Sequence, residues 1–321
     1  MNLDFKKIKD AEQKPSRDGF GNGLLKAGKK NKDIVSLEAD LGKSTRSSWF
    51  RKEFPDRAFN VGIAEQDMVN TAAGLAFSGK IAFASTFAIF TERAFEQFRN
   101  AAARTNLNVK LVGSHAGFKT GPDGASAQCI EDMAVYRALP NVTVICPADA
   151  VEAEKATMAL AEMEGPAYMR TTRAKVPILF DDSYDFEIGK GVVLKEGDDL
   201  TIFACGPQVY EALKASELLA NDDIHARVIN MSTIKPIDED LIVKSAEETG
   251  AIVTAEDHNI FGGMGSAVSE VLTKTVPIPV EKVGVKDTFG ESGDPDDLYE
   301  AYGLTARHIY EAGKKVIRRK K

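Results

Sequence analysis

The sequence predicts an α/β protein of two domains, each built on a largely parallel sheet. Three observations carry this. Short, near-continuously apolar runs alternate with longer helical stretches, the pattern of strands covered on both faces. The alternation breaks once, in a turn-rich stretch around 174–199, and then resumes. A chain of 321 residues is too long for one small domain and fits two of ordinary size. The expected division is an N-terminal arm over 1–15, a first domain over 16–175, a linker over 176–198 and a smaller α/β domain over 199–321.

The elements follow in order. "DIVSLEAD" reads as a strand. From Glu65 to Ser78, Met68, Ala72, Leu75 and Ala76 form a helical stripe; Val69 and Ala73 widen it, so this helix is expected to be buried on most sides. "GKIAFASTF" is strand-like, "AFEQFRNAAARTN" helical, "VKLVGSHAG" a strand and "IEDMAVYRAL" a helix. "VTVICPAD", "AVEAEKATMALAEMEG" and "PAYMRTTR" continue as strand, helix and strand. After the linker, "LTIFACG", "HARVINMS" and "AIVTAED" read as strands. "PQVYEALKASELLAN", "DEDLIVKSAEETG" and "GGMGSAVSEVLTK" read as helices.

Composition narrows the function. The chain is 43% hydrophobic and 28% charged, as a globular protein is. A net charge of −7 argues against a general nucleic-acid binder, and the basic tail "KKVIRRKK" is too short to change that. Cys129, Cys146 and Cys205 have no metal-ligand spacing, so no metal site is expected on this chain. Their odd number, with no apolar leader at the N-terminus, fits a reducing cytoplasm. No apolar run is long enough to span a membrane.

The glycine-rich stretches "GFGNG" and "FGGMGSAV" lack dinucleotide spacing, and no P-loop is present. Glu65 sits where an apolar run turns into the long helix. An acid in a first helical turn is favoured by the macrodipole by a few tenths of a kcal/mol. A carboxylate half-buried there would also want a partner, and such groups cluster at functional sites. The residues alone leave both readings open. His115 and Asp123 share the loop "SHAGFKTGPDGAS" just past a strand end, where parallel sheets gather ligands. Phe87 and Phe90 follow another strand end, where a planar ligand could stack.

Together these segments resemble the transketolase family. "GIAEQDMVNTAAGLAFSGKIAFASTFAIFTERAFEQFR" is similar to its pyrimidine-binding domain, "SHAGFKTGPDGASAQCIEDMAVYRALPNVTVICPADAVEAEKA" to its substrate-side loop and following elements, and "YMRTTR" to its phosphate-side strand. "AEDHNIFGGMGSAVSEVL" resembles its C-terminal domain. The resemblance implies a parallel-sheet pyrimidine-binding domain of thiamine-diphosphate enzymes, followed by a smaller α/β transketolase C-terminal domain. The family's GDG…N motif, which binds diphosphate and Mg²⁺, is absent from this sequence. The expectation is therefore the C-terminal subunit of a split transketolase. It would share thiamine diphosphate with an N-terminal subunit that carries the Mg²⁺, in an α2β2 assembly or around a homodimer of this chain.

The resemblance also implies roles. Glu65 would hydrogen-bond the N1′ nitrogen of the aminopyrimidine, and Phe87 and Phe90 would wall its ring. Asp40 would lie near the cofactor. Ser44, Arg17, Arg173 and His115 would meet the substrate phosphate, and Asp123 the C2 hydroxyl. Where the family commonly has His or Gln four residues after that acid, this chain has Ala127, with Gln128 next to it as the candidate replacement. The rival expectations are a deoxyxylulose-phosphate synthase-like subunit, a 2-oxo-acid dehydrogenase beta-like subunit, and a non-catalytic regulatory subunit. The arginine pair and His115 favour a sugar phosphate.

Overall fold

A computed structural model describes Leu3 and residues 5–320. Met1, Asn2 and Asp4 of the expected arm, and Lys321 of the basic tail, lie outside the described residues. In chain order the helices and strands are α1 (Phe5–Ile8), β1 (Gln13–Lys14), α2 (Ser16–Lys30), β2 (Ile34–Glu38), α3 (Gly42–Thr45), α4 (Ser47–Glu53), β3 (Ala58–Asn60), α5 (Glu65–Phe77), β4 (Ile81–Phe87), α6 (Ala88–Arg93) and α7 (Phe95–Gln97). There follow β5 (Val109–Ser114), α8 (Asp132–Arg137), β6 (Thr143–Ile145), α9 (Ala150–Glu162), β7 (Ala167–Arg170), β8 (Val176–Pro177), β9 (Val192–Lys195), β10 (Leu200–Ala204), α10 (Gln208–Ala220) and β11 (Ala226–Asn230). The chain ends with β12 (Thr233–Lys235), α11 (Glu239–Thr249), β13 (Ile252–Asn259), α12 (Met264–Lys274), β14 (Val280–Val285), α13 (Pro295–Ala301) and α14 (Ala306–Ile317).

The first sheet is seven-stranded, in the order β12-β6-β7-β5-β4-β2-β3; the second is five-stranded, β14-β13-β10-β11-β9. Pairing is parallel except at β12 and β9, which run antiparallel to their neighbours. Most inner strands, such as Ile34–Glu38 and Val109–Ser114, are buried at every residue, as the apolar runs predict. The β12 strand lies in the second half of the sequence yet pairs with β6, and one apolar cluster joins Leu111 and Tyr168 to Phe203, Ile229 and Ile252. The two sheets thus share a core.

Three features depart from the expectations. "GFGNG" lies inside α2, where Gly19 and Gly23 let the helix backbone close on α9. A Cβ on Gly23 would come within 2.6 Å of the Glu154 carbonyl oxygen, and one on Gly19 would overlap that of Ala150. Residues 192–195, expected in the linker, form an edge strand against β11. The α5 helix is buried on one side only: Gln66, Asp67, Asn70, Gly74 and Phe77 face outward, and Phe77 is 83% exposed. The arm is also seated: β1 pairs with β8, Ile8 packs beside Leu179 and Phe180, and Phe5 stacks on Tyr210.

Candidate active site

The sequence-predicted residues gather at one end of the first sheet. Asp40 and Ser44 follow β2, Glu65 follows β3, Phe87 ends β4, His115 and Asp123 follow β5, and Arg173 follows β7. These are carboxyl ends of parallel strands, where such sheets bind ligands. Arg17 comes from the first turn of α2. The Ser16 N–H donates to Thr172 Oγ1 (3.2 Å) and the Thr172 N–H to Ser16 Oγ (2.8 Å), which fixes Arg17 beside Arg173.

Arg17 Nη1 donates to the Ser44 carbonyl (3.1 Å) and lies 3.2 Å from His115 Nε2. A guanidinium only donates, so Nε2 accepts, and Nδ1 carries the proton toward Ser114 Oγ at 2.9 Å. His115 is neutral: burial, then Arg17, Arg173 and Arg46, push its pKa down to about 3. Its backbone sits at φ 60, in the left-handed region. Arg173 Nη1 donates to the Thr120 carbonyl (3.1 Å), and the Thr120 hydroxyl donates to the His115 carbonyl (2.6 Å).

Asp18 pairs with Arg46 at 2.6 Å. Neither Arg17 nor Arg173 has a carboxylate partner among the described residues. Burial first, and then Arg46, lower the Arg17 pKa, and its buried Nε has no hydrogen-bond partner among the described residues. Guanidiniums clustered around a neutral imidazole, with Asp18 already taken by Arg46, suit an anion. Planar forks suit a tetrahedral dianion.

Phe87 connects this cluster to a second one. It stacks on His115 (centroids 3.7 Å) and on Phe90 (5.5 Å, planes 4° apart). Phe90 and Arg93 share a face of α6. Arg93 Nη1 reaches Glu65 Oε2 at 3.4 Å, while Glu65 Oε1 has no partner among the described residues. Glu65 is 2% exposed and opens α5. A buried carboxylate with a free oxygen, beside a stacked aromatic pair, suits a planar heteroaromatic that carries a protonatable ring nitrogen.

Three further expected residues bond to neither cluster among the described residues. Asp40 is exposed, its Oδ1 held by the Asn60 side chain at 3.1 Å. Asp123 is exposed, with no side-chain hydrogen bond among the described residues. Gln128 is the candidate replacement for the family's residue at position 127. It is buried, and its Nε2 donates to the carbonyls of Gly121 (3.1 Å) and Glu291 (2.9 Å). Sequence reasoning missed Arg46, Thr120 and Asp257, whose roles come from folded contacts rather than from any local pattern. Glu92, Cys129 and Glu131 each place a donor atom within 4.8 Å of the others. Burial raises the Cys129 thiol pKa and pushes the Glu92 carboxyl up to about 7, and Cys129 Sγ donates to Glu92 Oε1 at 3.4 Å.

Fold and site define an α/β protein whose first sheet presents, at the carboxyl ends of its strands, a buried carboxylate and stacked aromatics near a cluster of guanidiniums. Residues 12–178 match the family described as Transketolase, pyrimidine binding domain, and residues 189–309 match Transketolase, C-terminal domain. The chain belongs to the transketolase family. It is 46% identical over 300 residues to the "Putative transketolase C-terminal section" of Methanocaldococcus jannaschii, covering 92% of this chain and 94% of the relative. It is 40% identical over 305 residues to the "6-deoxy-6-sulfo-D-fructose transketolase subunit SqwH" of a Clostridium species, covering 95% of each. The solved structure titled "Split gene transketolase, inactive beta4 tetramer" superimposes with a TM-score of 0.90 at 50% identity, covering 96% of this chain and 99% of that one. The family's reaction is ketol transfer and depends on thiamine diphosphate. The free oxygen of Glu65 and the Phe87–Phe90 pair fit that cofactor's aminopyrimidine. Among the described residues no helix is long and apolar enough to cross a membrane.

Proposed function

We propose that this chain is the C-terminal subunit of a two-subunit transketolase that moves a two-carbon ketol unit between sugar phosphates. Thiamine diphosphate would lie between this chain and an N-terminal subunit that holds the diphosphate and Mg²⁺. When bound, the cofactor supplies the carbon nucleophile and electron sink for the two-carbon fragment. Glu65 would share a proton with the ring nitrogen N1′, giving it and taking it back. Its burial keeps that proton from water, and its seat at the start of α5 keeps it still. Phe87 and Phe90 hold the ring plane, and Asp40 borders the cofactor. Arg17, Arg173, Ser44 and His115 hold the substrate phosphate, with His115 as a neutral partner rather than a charge. Asp123 meets the C2 hydroxyl.

One observation carries this reading: the stack of Phe90, Phe87 and His115 links α6, whose Arg93 reaches Glu65, to Arg17, which like Arg173 has no carboxylate bonded to it among the described residues. It joins a cofactor pocket to an anion pocket across one side chain. The relative titled as an inactive beta4 tetramer supports the need for a second kind of subunit. So does the apolar side chain of Ile63, two residues before Glu65 and 75% exposed. Sulfonate is a tetrahedral anion too, and the Clostridium relative is named for a sulfosugar. Phosphate is favoured here because the pair of guanidiniums matches a dianion.

The test is Arg17→Ala and Arg173→Ala in the assembled enzyme, assayed on a ketose phosphate, the matching sulfonate and the uncharged ketose. Each lost charge-assisted contact removes about 1.5–3 kcal/mol. KM for the phosphate should rise by that much and KM for the uncharged ketose should hold. Equal losses on all three would remove the anion reading, and a loss confined to the sulfonate would reassign the substrate.

A further inference from the structure

We propose that the second domain sets the phosphate grip, with Asp257 as the positioning residue that acts through the turn 117–120. This rests on the reading of Arg17, His115 and Arg173 as the phosphate site.

Asp257 lies on β13 of the second sheet and is 2% exposed. Its carboxylate reaches into the first domain and accepts the N–H groups of Phe118 (2.9 Å) and Lys119 (3.3 Å). Gly117, at φ 70, makes room for it, since a Cβ there would overlap the carboxylate. The next residue, Thr120, is the one that holds the grip: its carbonyl takes Arg173 Nη1 and its hydroxyl takes the His115 carbonyl. One short turn therefore separates Asp257 from both phosphate-side residues.

The rest of the loop is seated on the same domain. Phe118 is fully buried against Val285, Leu298, Tyr299 and Leu304. Gln128 ties Gly121 to the Glu291 carbonyl. The Asn259 N–H donates to the Ile130 carbonyl at 2.8 Å. Asp257 itself is anchored: Arg170 Nη1 donates to its carbonyl (3.2 Å), and Arg170 pairs with the buried Asp132 (3.1 Å). A loop needed only for packing would not require Thr120, the next residue of the turn, to bond both Arg173 and His115.

The experiment uses the chain assembled with its N-terminal subunit. Asp257→Asn keeps the size of the side chain, but its amide offers oxygen to only one of the two N–H groups and turns its NH₂ on the other. We expect KM for a ketose phosphate to rise about tenfold, as a displaced positioning contact does, with kcat changed less than about threefold. KM for the uncharged ketose should stay within about twofold of the unmutated enzyme, and assembly should be retained with the melting temperature lowered by only a few degrees. Gln128→Leu, which frees the loop from its other end, should shift KM the same way by less. If both variants leave the phosphate preference intact while Arg17→Ala removes it, the second domain does not set the grip. If Arg17→Ala also leaves the preference intact, the phosphate reading falls and this inference falls with it. Equal loss on both substrates would make Asp257 a plain stabiliser. Should Asp257→Asn fail to assemble, Gln128→Leu decides alone.

Discussion

His115 is kept neutral by its position rather than by solution pH. Burial and the guanidiniums of Arg17, Arg173 and Arg46 bring its pKa down to about 3 in the folded chain, against about 6.5 when unfolded. Below the unfolded value, the unfolded state takes up a proton that the folded state refuses. The stability held at this residue is therefore complete above about pH 6.5 and is lost progressively as pH falls toward 3. Two measurements check this. The His115 ring signals should not titrate between about pH 8 and about pH 5 in NMR of the anion-free chain. His115→Gln should flatten the acid limb of the stability curve. A ring that titrates near pH 6.5 would mean that the arginines are neutralised from elsewhere. The same scale explains why Glu65 was ambiguous in sequence. Its place in a first helical turn was legible, but its burial and its free oxygen arise only when α5 and α6 pack.

Among the elements, α2 does the least visible work. It carries Arg17 at its start, and Gly19 and Gly23 let it lie on α9 with backbones nearly touching. Gly23→Ala improves intrinsic helix propensity by up to about 1 kcal/mol. It also drives a methyl toward the Glu154 carbonyl and Thr157, and overpacking typically removes about 1–3 kcal/mol. The net prediction is a loss of stability in urea unfolding, together with a raised KM for the phosphorylated substrate as Arg17 shifts. A gain in stability would show that the two helices have slack. These glycines also mark where sequence reading stopped. "GFGNG" scores poorly as a helix by propensity, and only the close approach to α9 explains it. The alternating core of the first domain was legible, because strands such as β2 and β5 are buried on both faces and read as unbroken apolar runs. The β9 edge strand was not, since it sits among turn residues and is only partly buried. Nor was α14 read, although Ala306, Ile309, Gly313 and Val316 line its buried face at helical spacing. Of the site, the strand-end residues were legible. Asp257 was not, because what it does depends on a second sheet that reaches across to the first.

At the scale of the whole molecule, the proposal divides one catalytic site between two chains. The described residues hold a stacked aromatic pair at the helix that bonds the buried Glu65, guanidiniums around a neutral imidazole, and exposed apolar side chains at Ile63 and Phe77. Nothing among them resembles the diphosphate-and-metal motif of the family. The central claim is that this chain supplies Glu65 and the phosphate grip, and that a separate N-terminal subunit supplies the rest. The measurement is ketol transfer by the purified chain, by its N-terminal subunit and by their mixture, each with thiamine diphosphate and Mg²⁺, with Glu65→Gln run alongside. The account predicts no turnover from either subunit alone and robust turnover from the mixture. The mixture containing Glu65→Gln should co-sediment normally yet turn over about 10²–10⁴-fold more slowly, as loss of acid–base assistance does. Turnover by this chain alone, or a Glu65→Gln mixture within about threefold of the unmutated one, would contradict it.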